Sequence, residues 1–162
     1  MQARPYKPQN DDYFFQLLHF LKELLEMCIE LKLEPVIYGS LAYAFYTNDE
    51  SIYINDIDIL VPESAFSSLI ERITKHSDLR YEETDYHSIK VFKYKAKITF
   101  DAMEEYSKDL PRDFVKVILN DIPLTIVSLN SLKEMYNRGK NTIPVKSAQY
   151  STKLQRLDLL SD

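Results

Sequence analysis

Asp56 and Asp58 are separated by one residue inside an apolar run, INDIDILV at 54–61. On a β-strand alternate side chains share a face, so the two carboxylates point one way and Ile57 and Ile59 the other. Two like charges this close repel each other. Solvent can offset that repulsion, and so can a divalent cation. A pair of carboxylates suits Mg²⁺, which keeps several waters and is shared with substrate phosphates. Taken alone, the pair reads first as a solvated edge strand with two exposed acids.

Two further stretches add to it. VIYGS at 36–40 is a short apolar run broken by Gly39 and Ser40, and LAYAFY at 41–46 then reads as a helix. A strand-to-helix turn at glycine lets a phosphate approach the backbone, where a helix N-terminus offers free N–H groups and a favourable dipole. Ser40 adds a hydroxyl. Such turns also occur with no ligand at all. KITFDAM at 97–103 places a third carboxylate, Asp101, in another alternating strand. Its plain reading is an acid at a strand end. One turn and three strand-borne acids together specify more than any one of them.

The three segments VIYGS, NDIDILV and KITFDAM resemble the nucleotidyltransferase superfamily related to DNA polymerase beta, above all its small single-domain bacterial members. The resemblance runs from about residue 36 to residue 160, with IPLTIVSLNSLKEMY at 122–136 and KLQRLDLL at 153–160 as its less specific parts. It implies that Gly39 and Ser40 bind phosphates. It implies that Asp56, Asp58 and Asp101 are catalytic acids and metal ligands. The implied cofactor is Mg²⁺ or Mn²⁺, with a nucleoside triphosphate as donor and an unknown hydroxyl acceptor. In that chemistry two ions about 3.5–4 Å apart hold the attacking and leaving oxygens in line. The spacer between Ser40 and Asp56 is a little longer than the family's, and Lys153, Arg156 and Asp158 match its closing-helix pattern only loosely. Two other functions are compatible with the resemblance: a toxin–antitoxin component of nucleotidyltransferase type, and a degenerate member that binds nucleotide or protein without chemistry.

The elements around these residues read as α+β with a mixed sheet and flanking helices, in one domain over residues 1–162. Apolar residues at Phe14, Leu17, Leu18, Leu21, Leu24, Leu25, Cys28 and Leu31 predict a helix from Asp12 to Leu33. Strands are predicted at Val36–Tyr38, Ile52–Val61, Ser88–Tyr94, Lys97–Met103, Phe114–Leu119 and Ile122–Val127. Helices are predicted from Pro62 to Lys75, from a capping box at Ser131 and Glu134 to a stop at Gly139, and from Ser147 to Leu160. Two prolines near the start suggest a flexible N-terminal arm over residues 1–10.

A net charge of -5 argues against an extensive nucleic-acid surface. One cysteine, Cys28, permits no internal disulfide, so a reducing, cytoplasmic setting is expected. No apolar stretch reaches a membrane span, and the start carries no apolar segment of a signal peptide. His19, His76 and His87 lack zinc-ligand spacing, so structural or surface roles are expected. Tyr43 and Tyr46 follow the Gly-Ser turn and are candidates to line a base pocket, although packing is the ordinary role of such residues.

Overall fold

A computed structural model describes residues 2–160. Among them an eight-stranded mixed sheet is flanked by helices. The strands are β1 (Gln2–Arg4), β2 (Val36–Tyr38), β3 (Ile57–Val61), β4 (Leu79–Thr84), β5 (Ser88–Lys93), β6 (Ala96–Ala102), β7 (Phe114–Leu119) and β8 (Ile122–Val127). Their order across the sheet is β1-β7-β8-β2-β3-β6-β5-β4. The helices are α1 (Asp11–Glu30), α2 (Ser40–Thr47), α3 (Phe66–Thr74), α4 (Met103–Ser107), α5 (Leu129–Thr142) and α6 (Ser147–Asp158).

The three strands that carry the candidate residues are neighbours in the middle of this sheet. β2 pairs antiparallel with β3, and β3 pairs parallel with β6. Alternation sets what each face does. Ile57 and Ile59 of β3, Ile98 and Phe100 of β6, and Ile89 and Val91 of β5 are fully buried. They join one hydrophobic core with the apolar stripe of α1, which buries Phe14, Leu17, Leu21, Leu24 and Cys28. Each fully buried side chain of this size contributes roughly 1.5–3 kcal/mol relative to exposure. Phase therefore holds these strands firmly, because a one-residue slip would turn the acids into the core. α5 and α6 pack on each other and on α2.

Several expectations need correction. The N-terminal stretch is no loose arm in residues 2–10. Gln2–Arg4 pairs parallel with β7, Tyr6 is buried, and its hydroxyl donates to the Asp49 carbonyl at 2.7 Å. The strand expected from Ile52 starts only at Ile57. Upstream, the Asn10 side chain takes over the Ile54 backbone: its Oδ1 accepts from Ile54 N–H at 3.0 Å and its Nδ2 donates to Ile54 O at 2.7 Å. Those groups are then not free for a ladder.

β4 was not expected, because its sequence LRYEET is largely polar and it lies exposed at the sheet edge. α5 is capped by Ser128, whose side chain accepts from Ser131 N–H, and not by Ser131 itself. It also runs past Gly139. That glycine is there for contact: a Cβ on it would lie 2.6 Å from the Tyr150 ring of α6. Among the described residues no helix is long and apolar enough to cross a membrane.

Candidate active site

The turn between β2 and α2 is built around Gly39. Its backbone adopts φ 71° and ψ -142°, a region that residues with a Cβ avoid. A Cβ placed there would stand 2.9 Å from Asp58 Oδ2. The glycine thus lets the chain reverse and lets the backbone lie directly against a carboxylate. α2 starts at Ser40, so the unpaired N–H groups of its first turn open beside Asp58.

Strand register places the acids. Asp58 on β3 pairs with Tyr38 on β2 and with Thr99 on β6. Asp101 lies two residues beyond Thr99 and so shares its face. Asp56 stands just before β3. Its Oδ2 accepts from Thr99 Oγ1 at 3.0 Å and lies 3.5 Å from Lys97 Nζ. All three acids are therefore on one side of the sheet. Asp56, Asp58 and Ser40 line a cleft of about 660 Å³, which Lys153 and Arg156 of α6 close. Gly39, Ser40 and Asp58 also border a smaller cleft of about 430 Å³, whose cations are Arg138, Lys146 and Lys153. Asp101 lines neither cleft and lies toward β5, held by the Tyr38 and Ser88 hydroxyls.

The electrostatics follow from this crowding. Burial, then the charges of Asp56 and Asp101, push the Asp58 carboxyl up to about 8. Burial raises Asp56 as well, and Lys97 offsets part of that rise. Asp56 Oδ1 is buried without a hydrogen-bond partner. An orphaned carboxylate oxygen next to a second carboxyl that resists ionisation is an environment a cation relieves. Among the described residues no three acid, histidine or cysteine side chains form a ready metal cage. Mg²⁺ does not need one, since one or two carboxylates suffice when waters and substrate phosphates complete the shell. Asp56 and Asp58 fit that requirement.

The other candidates have packing or surface roles. Tyr43 borders the larger cleft but its ring is buried against Tyr136, and Lys153 Nζ stands 5.2 Å above it. Tyr46 donates its hydroxyl to Val127 O at 2.8 Å, away from the acids. His19, His76 and His87 are exposed, and Cys28 is a buried core residue whose thiol burial pushes up to about 12. Sequence reasoning missed Tyr38, Ser88, Lys97 and Thr99. Lys97 and Thr99 could have been found, because they share the parity of Asp101 along KITFD. Tyr38 and Ser88 lie on other strands and carry no such local signal.

No family model matches the chain, and no curated protein sequence matches it. Solved structures do. The antibiotic-resistance factor ANT(2'')-Ia, crystallised with adenylyl-2''-tobramycin, is similar at TM-score 0.64 and 14% identity, over 88% of this chain and 87% of that one. The lincosamide antibiotic adenylyltransferase LnuA, bound to lincomycin, is similar at TM-score 0.62 and 10% identity, over 90% and 97%. An antigenic nucleotidyltransferase-like protein from Paracoccidioides brasiliensis is similar at TM-score 0.63 and 10% identity, over 87% and 74%. Identities this low speak to architecture, and the architecture agrees across nearly the whole described chain: the protein is an α+β molecule with the nucleotidyltransferase fold.

Proposed function

We propose that the protein is a metal-dependent nucleotidyltransferase, moving a nucleoside monophosphate from a nucleoside triphosphate to a hydroxyl acceptor. The observation that carries this reading is the contact between the Gly39 turn and Asp58, which sets a phosphate-accepting backbone against a carboxylate that resists ionisation. The comparison proteins that act on antibiotics support the reaction class.

In the proposed reaction the acceptor oxygen forms a bond to the α-phosphorus, the bond from that phosphorus to the bridging oxygen breaks, and pyrophosphate leaves. Asp101 takes the acceptor proton. Gly39, Ser40 and the first turn of α2 hold the β and γ phosphates, with Lys146, Lys153 and Arg156 as cations along the cleft walls. Asp56 and Asp58 would hold Mg²⁺ or Mn²⁺, which supplies charge neutralisation and in-line alignment of the oxygens. The protein's own part is positioning and electrostatic stabilisation.

The test is a melting series with each nucleoside triphosphate, with and without Mg²⁺. A ligand that binds only the folded state at a hundred times its Kd stabilises by about 2.7 kcal/mol, a shift of several degrees. A triphosphate shift that Mg²⁺ enlarges is expected, and Asp58→Asn should remove the enlargement. No shift at millimolar ligand would remove the reading. A second reading rests on Lys97, which already supplies a cation beside Asp56: a protein that binds triphosphate without turnover. It predicts a triphosphate shift that Mg²⁺ leaves unchanged.

A further inference from the structure

Asp101 differs from the other two acids in that both its oxygens are held. The Tyr38 hydroxyl donates to Oδ2, and the Ser88 hydroxyl donates to Oδ1. The donors come from opposite sides. Ser88 lies on β5 as the cross-strand partner of Asp101. Tyr38 lies on β2 and reaches across β3, the strand between it and β6. Its ring meets the Tyr106 ring of α4 edge-on at 5.9 Å, which fixes the phenol. Tyr38 is also the register partner of Asp58 and the residue before Gly39. One side chain therefore connects the phosphate turn, Asp58 and Asp101.

A carboxylate has about four lone-pair positions on two oxygens. Two neutral hydroxyls occupy one on each oxygen, fix the plane of the group and leave one free on each. Tyr38 and Ser88 each bring a neutral O–H group that donates to the carboxylate. A neutral donor of this kind orients the carboxylate without cancelling its charge.

We propose that Tyr38 and Ser88 are positioning residues that clamp the Asp101 carboxylate, presenting its remaining lone pairs to a divalent cation and to the acceptor hydroxyl. The proposal rests on the reading of Asp101 as the third acid of the transfer site. Hydroxyls that orient a ligating carboxylate typically account for ten- to a hundred-fold in metal affinity.

The experiment is a Mn²⁺ titration followed by electron paramagnetic resonance, with α,β-methylene-ATP bound to the intact chain. Asp101→Asn should weaken Mn²⁺ binding. Tyr38→Phe and Ser88→Ala should each weaken it about ten-fold or more, while affinity for the nucleotide analogue without Mn²⁺ stays within about two-fold. Ser88→Thr, which keeps a hydroxyl, should restore binding. Adding Tyr38→Phe to Asp101→Asn should change nothing further, because the phenol acts only through the carboxylate. Should Tyr38→Phe fail to fold, the Ser88 pair carries the test, since that position is half-buried at the site's margin. Unchanged Mn²⁺ affinity in folded Tyr38→Phe and Ser88→Ala, with Asp101→Asn impaired, overturns the clamp alone. Equal Mn²⁺ affinity in wild type and Asp101→Asn removes the third acid, and the clamp falls with it.

Discussion

Lys97 Nζ stands 3.5 Å from Asp56 Oδ2, on the same sheet face as all three acids. It is a fixed counter-cation inside a site that otherwise gathers negative charge. Lys97→Met keeps most of the stem and removes the charge. The metal-free variant should melt a few degrees below wild type near pH 8, where Asp56 then lacks its cation. Mg²⁺ should stabilise the variant more than wild type, because an added ion takes the vacated role. Melting curves with and without Mg²⁺ check this. An equal Mg²⁺ shift in both proteins would mean that Lys97 and the ion do not compete.

Asp58 sets a pH dependence with a definite sign. Its carboxyl ordinarily titrates at 3.8 and is raised to about 8 in the folded chain, first by burial and then by Asp56 and Asp101. The folded state holds the proton more tightly. Its contribution is therefore fully present below the unfolded midpoint and is lost as pH rises through the folded one. Within that window each pH unit costs up to about 1.4 kcal/mol. The metal-free protein should melt progressively lower from about pH 4 to about pH 8. Asp58→Asn should flatten that decline and melt above wild type at the alkaline end. A wild-type melting temperature that rises across this range contradicts the assignment.

Gly39 tests the turn. Gly39→Ala must adopt a positive φ with an extended ψ, a region nearly reserved for glycine that costs about 1–3 kcal/mol, and must push against Asp58. The variant should melt roughly 3–8 °C lower and bind triphosphate more weakly. Gly39→Val should be worse on both counts. Undiminished triphosphate affinity in a folded Gly39→Ala protein would make the turn purely structural.

Lys153 separates packing from binding. Its ammonium lies 5.2 and 5.3 Å from the ring centroids of Tyr43 and Tyr136, and burial pushes its pKa down. Lys153→Met keeps the stem and loses a costly buried charge, so the melting temperature should hold or rise slightly. Triphosphate affinity, measured by calorimetry, should drop about ten-fold or more, as expected for one charge-assisted hydrogen bond. A lower melting temperature with intact affinity would assign Lys153 to structure.

The central strands were legible because each signal was local. VIYGS, NDIDILV and KITFDAM carry their parity, their glycine and their acids within a few residues, and both the strand register and the turn at Gly39 follow that reading. What escaped depended on partners far along the chain. Nothing in MQARP announces a strand, since β1 exists only because β7 offers it an edge. Ile52 and Ile54 look like strand residues, and the Asn10 side chain takes their segment out of the ladder. Gly139 reads as a helix stop, yet its role is to admit the Tyr150 ring. The hydroxyls on Asp101 come from β2 and β5, which no spacing rule connects to β6.

The central claim is transfer of a nucleoside monophosphate, and the position of a radiolabel tests it most directly. The protein is incubated with Mg²⁺, a cell extract as the source of acceptors, and each nucleoside triphosphate labelled in parallel at the α or the γ phosphate. The account predicts a product that carries the α label, the γ label released in pyrophosphate, and neither event with Asp58→Asn. A product carrying the γ label, or no labelled product from any of the triphosphates, would contradict it.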